Sequence, residues 1–262
     1  MPSITLGHST INYTERGSGA KCVVLVHGFP VDSRMWDRVL ADPPANVRVI
    51  APDLPGFGKS SADRPFTMDS LADDLNQLLS RIGVNKCVIG GFSMGGYVAL
   101  AYAKKYAGTL SGLMLINTRA EADTAEGKEK RNKMIETVRT SGSRAIADAM
   151  FPNMLTKEHQ ADSSIANPMR QMMESCSPRA IEFALGAMRE RVDQTAFLPS
   201  IAIPTLIIAS EQDAIIPRAA AEAMNNAIPR SKLVMIPNAG HASPVENPEA
   251  VDRAIHEFTA SL

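Results

Sequence analysis

The hydrophobic pattern of this chain switches repeatedly between two periods. Short strand-like runs occur at 23–26, 47–51, 87–91, 113–116, 205–209 and 233–236, and the first, Val-Val-Leu-Val, is continuously apolar rather than alternating. Such runs are expected of strands buried on both faces of a parallel sheet. Segments of helical period lie between them. In the clearest, Met68, Leu71, Leu75, Leu78, Leu79 and Ile82 recur at helical spacing. Thr67 offers an N-cap before it and Gly83 a stop after it. Its Met and Leu stripe reads as core packing, not as a cofactor site. Further helices are predicted at 33–40, from Met94 to Tyr106, at 219–225 and at 248–258, the last with Val251, Ile255 and Phe258 facing inward. Runs at 4–6 and 11–13 around Gly7-His8 read as an N-terminal hairpin. Strands alternating with helices imply an α/β fold with a mostly parallel sheet and right-handed crossovers.

After Asn117 the pattern changes. From 119 to about 197 no strand-like run occurs, and charged helical stretches alternate with breaks at Gly142, Pro152, Pro168 and Pro178. Three to five helices inserted into the sheet domain are predicted. Seven of the fourteen methionines fall here. They suit both flexible core filling and an adaptable apolar lining. Met150, Met154 and Met172 are the candidates for walls of a substrate pocket.

Composition narrows the classes. The chain has 262 residues, 45% of them hydrophobic and 21% charged. It can bury a sizeable core without metals or disulfides. A formal net charge of −1 points neither to nucleic acid nor to an anionic membrane surface. Three sparse cysteines, Cys22, Cys87 and Cys176, lack metal-ligand spacing and suggest reduced, buried thiols in a cytoplasmic protein. The N-terminus lacks the pattern of a signal peptide, and no apolar run approaches the ~20 residues that span a bilayer.

The candidate chemistry centres on Gly91-Phe92-Ser93-Met94-Gly95, between a strand and a helix. This G-x-S-x-G pattern is a nucleophile elbow, with serine at the tip of a sharp turn. A Cβ at Gly91 or Gly95 would crowd the neighbouring backbone. Two partners follow in chain order, Asp213 and His241, each just after a predicted strand. In an open parallel sheet those ends share one edge, where ligands bind. Ser93 is then the nucleophile, His241 its base and Asp213 the group that orients the imidazole. The N–H groups of Phe29 and Met94 are the candidate oxyanion donors. Of the other histidines, His27 reads as support for the oxyanion loop. His8 and His159 read as solvated, and His256 lies inside the last helix. Asp32 and Asp53 read as loop structure. Gly58-Lys59-Ser60 looks like the end of a phosphate loop, but Asp53 stands where that motif needs a glycine, and no helix follows at once. No nucleotide site, cofactor or metal is expected.

On His27-Gly28-Phe29-Pro30, Asp53 through Ser60, Gly91 through Gly96, Glu211-Gln212-Asp213 and Gly240-His241, the chain resembles the α/β-hydrolase superfamily over essentially its whole length. Among branches it is similar to small carboxylesterases, 3-oxoadipate enol-lactonases and cofactor-free haloperoxidases or perhydrolases. The resemblance implies an eight-stranded sheet with a helical cap at 119–196 and a core at 1–118 and 197–262. It also implies hydrolysis of a small carboxylic ester or lactone through an acyl-enzyme. Pro30, beside Phe29, resembles a proline of the perhydrolase-like branch and suggests a perhydrolase side activity through a loop carbonyl aimed at peroxide. The competing readings are a carbon–carbon bond hydrolase and a slow-turnover ligand receptor of the same fold. Serine at 93 argues against dehalogenase or epoxide hydrolase chemistry, which in this fold uses aspartate there.

Overall fold

The computed structural model describes residues 2–7 and 9–262. His8, read above as a solvated hairpin residue, lies outside the described residues. The strands are β1 (Ser3–Leu6), β2 (Ser9–Arg16), β3 (Lys21–Val26), β4 (Val47–Pro52), β5 (Cys87–Phe92), β6 (Leu110–Ile116), β7 (Thr205–Ser210) and β8 (Ser231–Ile236). They form one eight-stranded sheet in the order β1-β2-β4-β3-β5-β6-β7-β8. β1 pairs with β2 and β2 with β4 antiparallel; every other pairing is parallel.

The continuous apolar runs are explained by burial on two faces. Val24 and Val26 of β3, with Ile89, Leu113, Leu115 and Ile207, join one core cluster. Val23 and Leu25, with Val88, Met114, Leu206 and Ile208, join the other. Helix α1 (Met68–Arg81), α2 (Met94–Tyr106) and α7 (Arg218–Ala227) cover the first face. Helix α9 (Pro248–Ala260) covers the second through Val251, Ile255 and Phe258. Leu71, Leu75, Leu78 and Leu79 of α1 are all buried, each burial stabilising by about 1.5–3 kcal/mol. Thr67 and Ser70 close a reciprocal capping box at its start, and Gly83 takes a left-handed φ of 75° at its end. Cys22 and Cys87 each stand one residue before the paired Val23 and Val88, Cys22 second in β3 and Cys87 first in the neighbouring β5. Both thiols are free. Burial pushes them up, to about 11 and about 12.

Between β6 and β7 lie α3 (Ala125–Met154), α4 (Lys157–Ala161), α5 (Ser163–Ser175) and α6 (Pro178–Arg189). Gly142 breaks α3 with a φ of 74°, and Pro178 opens α6. Pro152 and Pro168, predicted as breaks, sit inside helices instead. Pro152 falls in the last turn of α3, where its missing N–H forfeits one i→i−4 bond, and its own carbonyl, beyond the end of the ladder, accepts from Gln160 Nε2 at 2.9 Å. The helix predicted at 33–40 is instead two 3₁₀ turns, Ser33–Trp36 and Val39–Ala41. Asp32 caps the first, and Pro43 and Pro44 follow the second and bias the preceding backbone away from helix. Helix α8 (Ser243–Glu246), directly after His241, had no sequence-level signal.

Candidate active site

Ser93 joins β5 to α2 with φ 52° and ψ −113°, a strained conformation for a residue with a Cβ. The surroundings force it. A Cβ on Gly91 would fall on the Gly95 carbonyl, and one on Gly95 would meet the carbonyls of Val26 and His27. The start of α2 is thereby packed directly on the end of β3. The turn is tied down by Ser93 N–H donating to Ile116 O at 2.9 Å and by Thr118 Oγ1 donating to Ser93 O at 2.8 Å. Ser93 itself is half-buried.

The ends of β5, β7 and β8 bring three side chains together. His241 Nε2 lies 3.0 Å from Ser93 Oγ. His241 Nδ1 lies 2.9 and 3.1 Å from the two Asp213 oxygens. An ionised carboxylate only accepts, so Nδ1 carries the proton and the Nε2 lone pair faces the serine hydroxyl. The His241 and Asp213 side chains are 1% and 3% exposed. Burial alone would raise the Asp213 carboxyl. His241, the Ile216 N–H and Asn117 outweigh it and hold the carboxyl below its usual range. Ile215 N and Ile216 N donate to Oδ1 at 2.8 and 2.9 Å, and Asn117 Nδ2 donates to Oδ2 at 2.9 Å. Phe92 packs on the imidazole with ring centroids 4.9 Å apart.

The loop after β3 carries Phe29 and Pro30, joined by a cis peptide. A Cβ on Gly28 would strike the Phe92 ring, so this loop lies against the residue that precedes Ser93. Met94 is the first residue of α2, and its N–H falls outside the helical ladder. His27 holds the loop from beneath. Leu54 N–H donates to its Nε2 at 2.9 Å, which places the ring proton on Nδ1, 2.8 Å from Gly28 O. Burial pushes the His27 imidazole below its ordinary value of 6.5, against the opposing charge of Asp53. Asp53 accepts from Ser33 N and Lys59 N, both at 2.9 Å, and so organises the loop that follows β4. The Pro30 carbonyl accepts from Cys176 Sγ at 3.4 Å.

The three methionines singled out above separate. The Met154 side chain is fully buried in the second core cluster. Met150 packs, partly buried, against both clusters. Met172 lines a cleft of about 310 Å³ with Met35, Met169, Pro244 and Val245, which includes none of Ser93, Asp213 or His241. A wider cleft of about 720 Å³ between α3 and α6 also lacks them and is rimmed by paired charges such as Arg139 and Glu182. Size does not mark the site here.

Three contributors were not identified from sequence. Asn117, at the end of β6, binds Asp213 and accepts from Ser243 Oγ at 2.6 Å. Its signal was a polar residue directly after an apolar strand. Glu246 supports the histidine loop by accepting Gly240 N–H at 2.7 Å. His159, read above as solvated, donates from Nδ1 to Glu246 Oε1 at 3.0 Å, with a side chain only 17% exposed. Both belong to contacts between distant segments, which no local pattern encodes. Among the described residues no cluster of three or more His, Cys, Asp or Glu could hold a metal ion, and no helix is long and apolar enough to cross a membrane.

A mostly parallel eight-stranded sheet with a serine at a strand–turn–helix tip on its carboxyl edge defines the α/β-hydrolase fold. The chain belongs to the alpha/beta hydrolase family, whose model matches residues 23–254. By that membership it is a hydrolase. It is similar to a thermophilic esterase from Thermogutta terrifontis, solved with malate bound, at 39% identity and a TM-score of 0.95, over 100% of this chain and 99% of that one. It is 29% identical to the pimeloyl-[acyl-carrier protein] methyl ester esterase of a Neisseria meningitidis serogroup B strain, over 91% of this chain and 92% of the relative. The enol-lactonase from Burkholderia xenovorans LB400 shares the fold, with 24% identity and a TM-score of 0.92 over 99% of this chain and 100% of that one.

Proposed function

We propose that this protein hydrolyses small carboxylic esters or lactones through an acyl-enzyme on Ser93. The observation that carries the reading is the continuous chain Ser93 Oγ, His241, Asp213, with spacings of 3.0 and 2.9 Å. His241 takes the serine proton as Oγ attacks the carbonyl carbon, then delivers it to the leaving alcohol. Water repeats the sequence in reverse, and the acid departs. Asp213 keeps the imidazole in the required tautomer and stabilises its cation. The N–H groups of Phe29 and Met94 receive the charge that develops on the carbonyl oxygen. The helices between β6 and β7 act as a cap over 119–196, and Met150, Met154 and Met172 shape or back its apolar side. The names of the Thermogutta and Neisseria relatives support an ester substrate.

Two of the three carbonyls of the oxyanion loop are already engaged, that of Gly28 by His27 and that of Pro30 by Cys176. That leaves the Phe29 carbonyl as the acceptor that a perhydrolase side activity would use.

The test is turnover of p-nitrophenyl esters by wild type and Ser93→Ala. Replacement of the nucleophile lowers kcat by about 10⁶ while the fold survives. Activity in Ser93→Ala within tenfold of wild type would sink the proposal. Turnover of a vinylogous diketone with no ester turnover would support the carbon–carbon bond reading. A burst of bound product followed by negligible turnover would support the receptor reading.

A further inference from the structure

A second acid lies beside the histidine loop. The Glu246 side chain is 0% exposed, yet it belongs neither to the reacting chain of side chains nor to the core packing. Its Oε2 accepts Gly240 N–H at 2.7 Å. Its Oε1 accepts Thr156 N–H at 2.6 Å and bonds to His159 Nδ1 at 3.0 Å. One oxygen thus holds the residue before His241, and the other holds the junction of α3 and α4. The residue after His241 is held from the same junction, since Ala242 N–H donates to Met154 O at 2.8 Å. A Cβ on Gly240 would come within 3.0 Å of Thr156 N and 3.2 Å of Glu246 Oε2, so the two segments interlock closely.

From this we infer that Glu246 is a positioning residue that couples the seating of the cap to the placement of His241, resting on the proposed role of His241 as base. A fully buried acid with three N–H donors is held in one geometry, because losing any donor leaves polar atoms unpaired. The cap junction and the peptides on both sides of the imidazole therefore move together. A shift of the cap by a fraction of an ångström is passed to His241 Nε2 and to its reach toward Ser93. Ester binding and the proton-transfer geometry become linked through a residue that touches neither substrate nor serine.

Glu246→Gln keeps the shape but replaces one acceptor by an NH₂, which faces an N–H donor in either orientation. It is expected to lower kcat for p-nitrophenyl acetate by about ten- to hundredfold. It is also expected to shift or broaden the low-field proton resonance of His241 Nδ1–H bonded to Asp213. His159→Ala lowers kcat in the same direction by less, and His159→Gln, which keeps a donor toward Glu246, restores it. A folded Glu246→Gln with wild-type kcat and an unmoved resonance overturns the inference, as does lower thermal stability with both readouts unchanged. If Glu246→Gln does not fold, His159→Ala decides: unchanged kcat and resonance overturn the inference, and their joint shift with rescue by Gln supports it. If wild type and Ser93→Ala are equally inert toward esters, the ester reading fails. The resonance in Glu246→Gln still decides whether Glu246 positions His241.

Discussion

At the scale of single residues, the site is built by burying titratable groups and then naming a partner for each proton. His27 illustrates this. Its two ring nitrogens are both occupied, one by the Leu54 N–H and one by the Gly28 carbonyl, so only the neutral ring fits. Burial holds its pKa below 6.5 in the folded protein, while in the unfolded chain it is near 6.5. As pH falls below 6.5 the unfolded chain binds the proton first, and stability declines towards the depressed folded value. Above 6.5 this contribution is fully present. The melting temperature of wild type is therefore expected to fall on acidification through pH 6.5. The slope over this range should be shallower in His27→Gln, whatever that variant's absolute stability. Thermal unfolding across the range checks this, and equal slopes would remove His27 as the cause.

At the scale of elements, the elbow is where local and tertiary demands meet. The left-handed Ser93 between β5 and α2 is held because α2 begins against the carbonyls at the end of β3. Gly95 is the residue that permits that approach. Gly95→Ala drives a methyl into the Val26 and His27 carbonyls, which are backbone and cannot swing aside. The variant is expected to lose at least ~2 kcal/mol of stability and most of its activity, since relief requires the whole start of α2 to move. Denaturant midpoints and ester turnover measure the two effects. A variant that kept both would mean that α2 can shift without moving Ser93. The same logic explains why Pro152 and Pro168 do not break their helices: each element is held by packing, and a single missing N–H is a smaller term than that packing.

At the scale of the whole molecule, the helices between β6 and β7 contact both loops that flank Ser93. Cys176 binds the Pro30 carbonyl, Arg34 reaches Ser175 at 2.8 Å, and the Met154–His159 junction grips the histidine loop. On the proposed reading of these helices as a cap, attachment to both loops restricts the room for a long chain between it and the sheet. Across p-nitrophenyl esters from acetate to decanoate, the highest kcat/KM is expected at the short end, and a maximum at decanoate would contradict the compact cap.

The sheet, most helices and the trio Ser93, Asp213 and His241 could be read from the chain because each leaves a local trace. Two-sided burial produces continuous apolar runs, amphipathic burial produces a 3.6-residue period, and a parallel sheet collects its strand ends at one edge. Serine between close-packed glycines marks the turn for the same reason. Tertiary structure alone decided what surrounds those three residues. Asn117 reaches Asp213 only because β6 and β7 are neighbours, and Glu246 meets Thr156 and His159 across ninety and eighty-seven residues of chain. Hydrogen bonds between distant segments depend on where the backbone arrives, and a local pattern of residue types carries no record of that arrival.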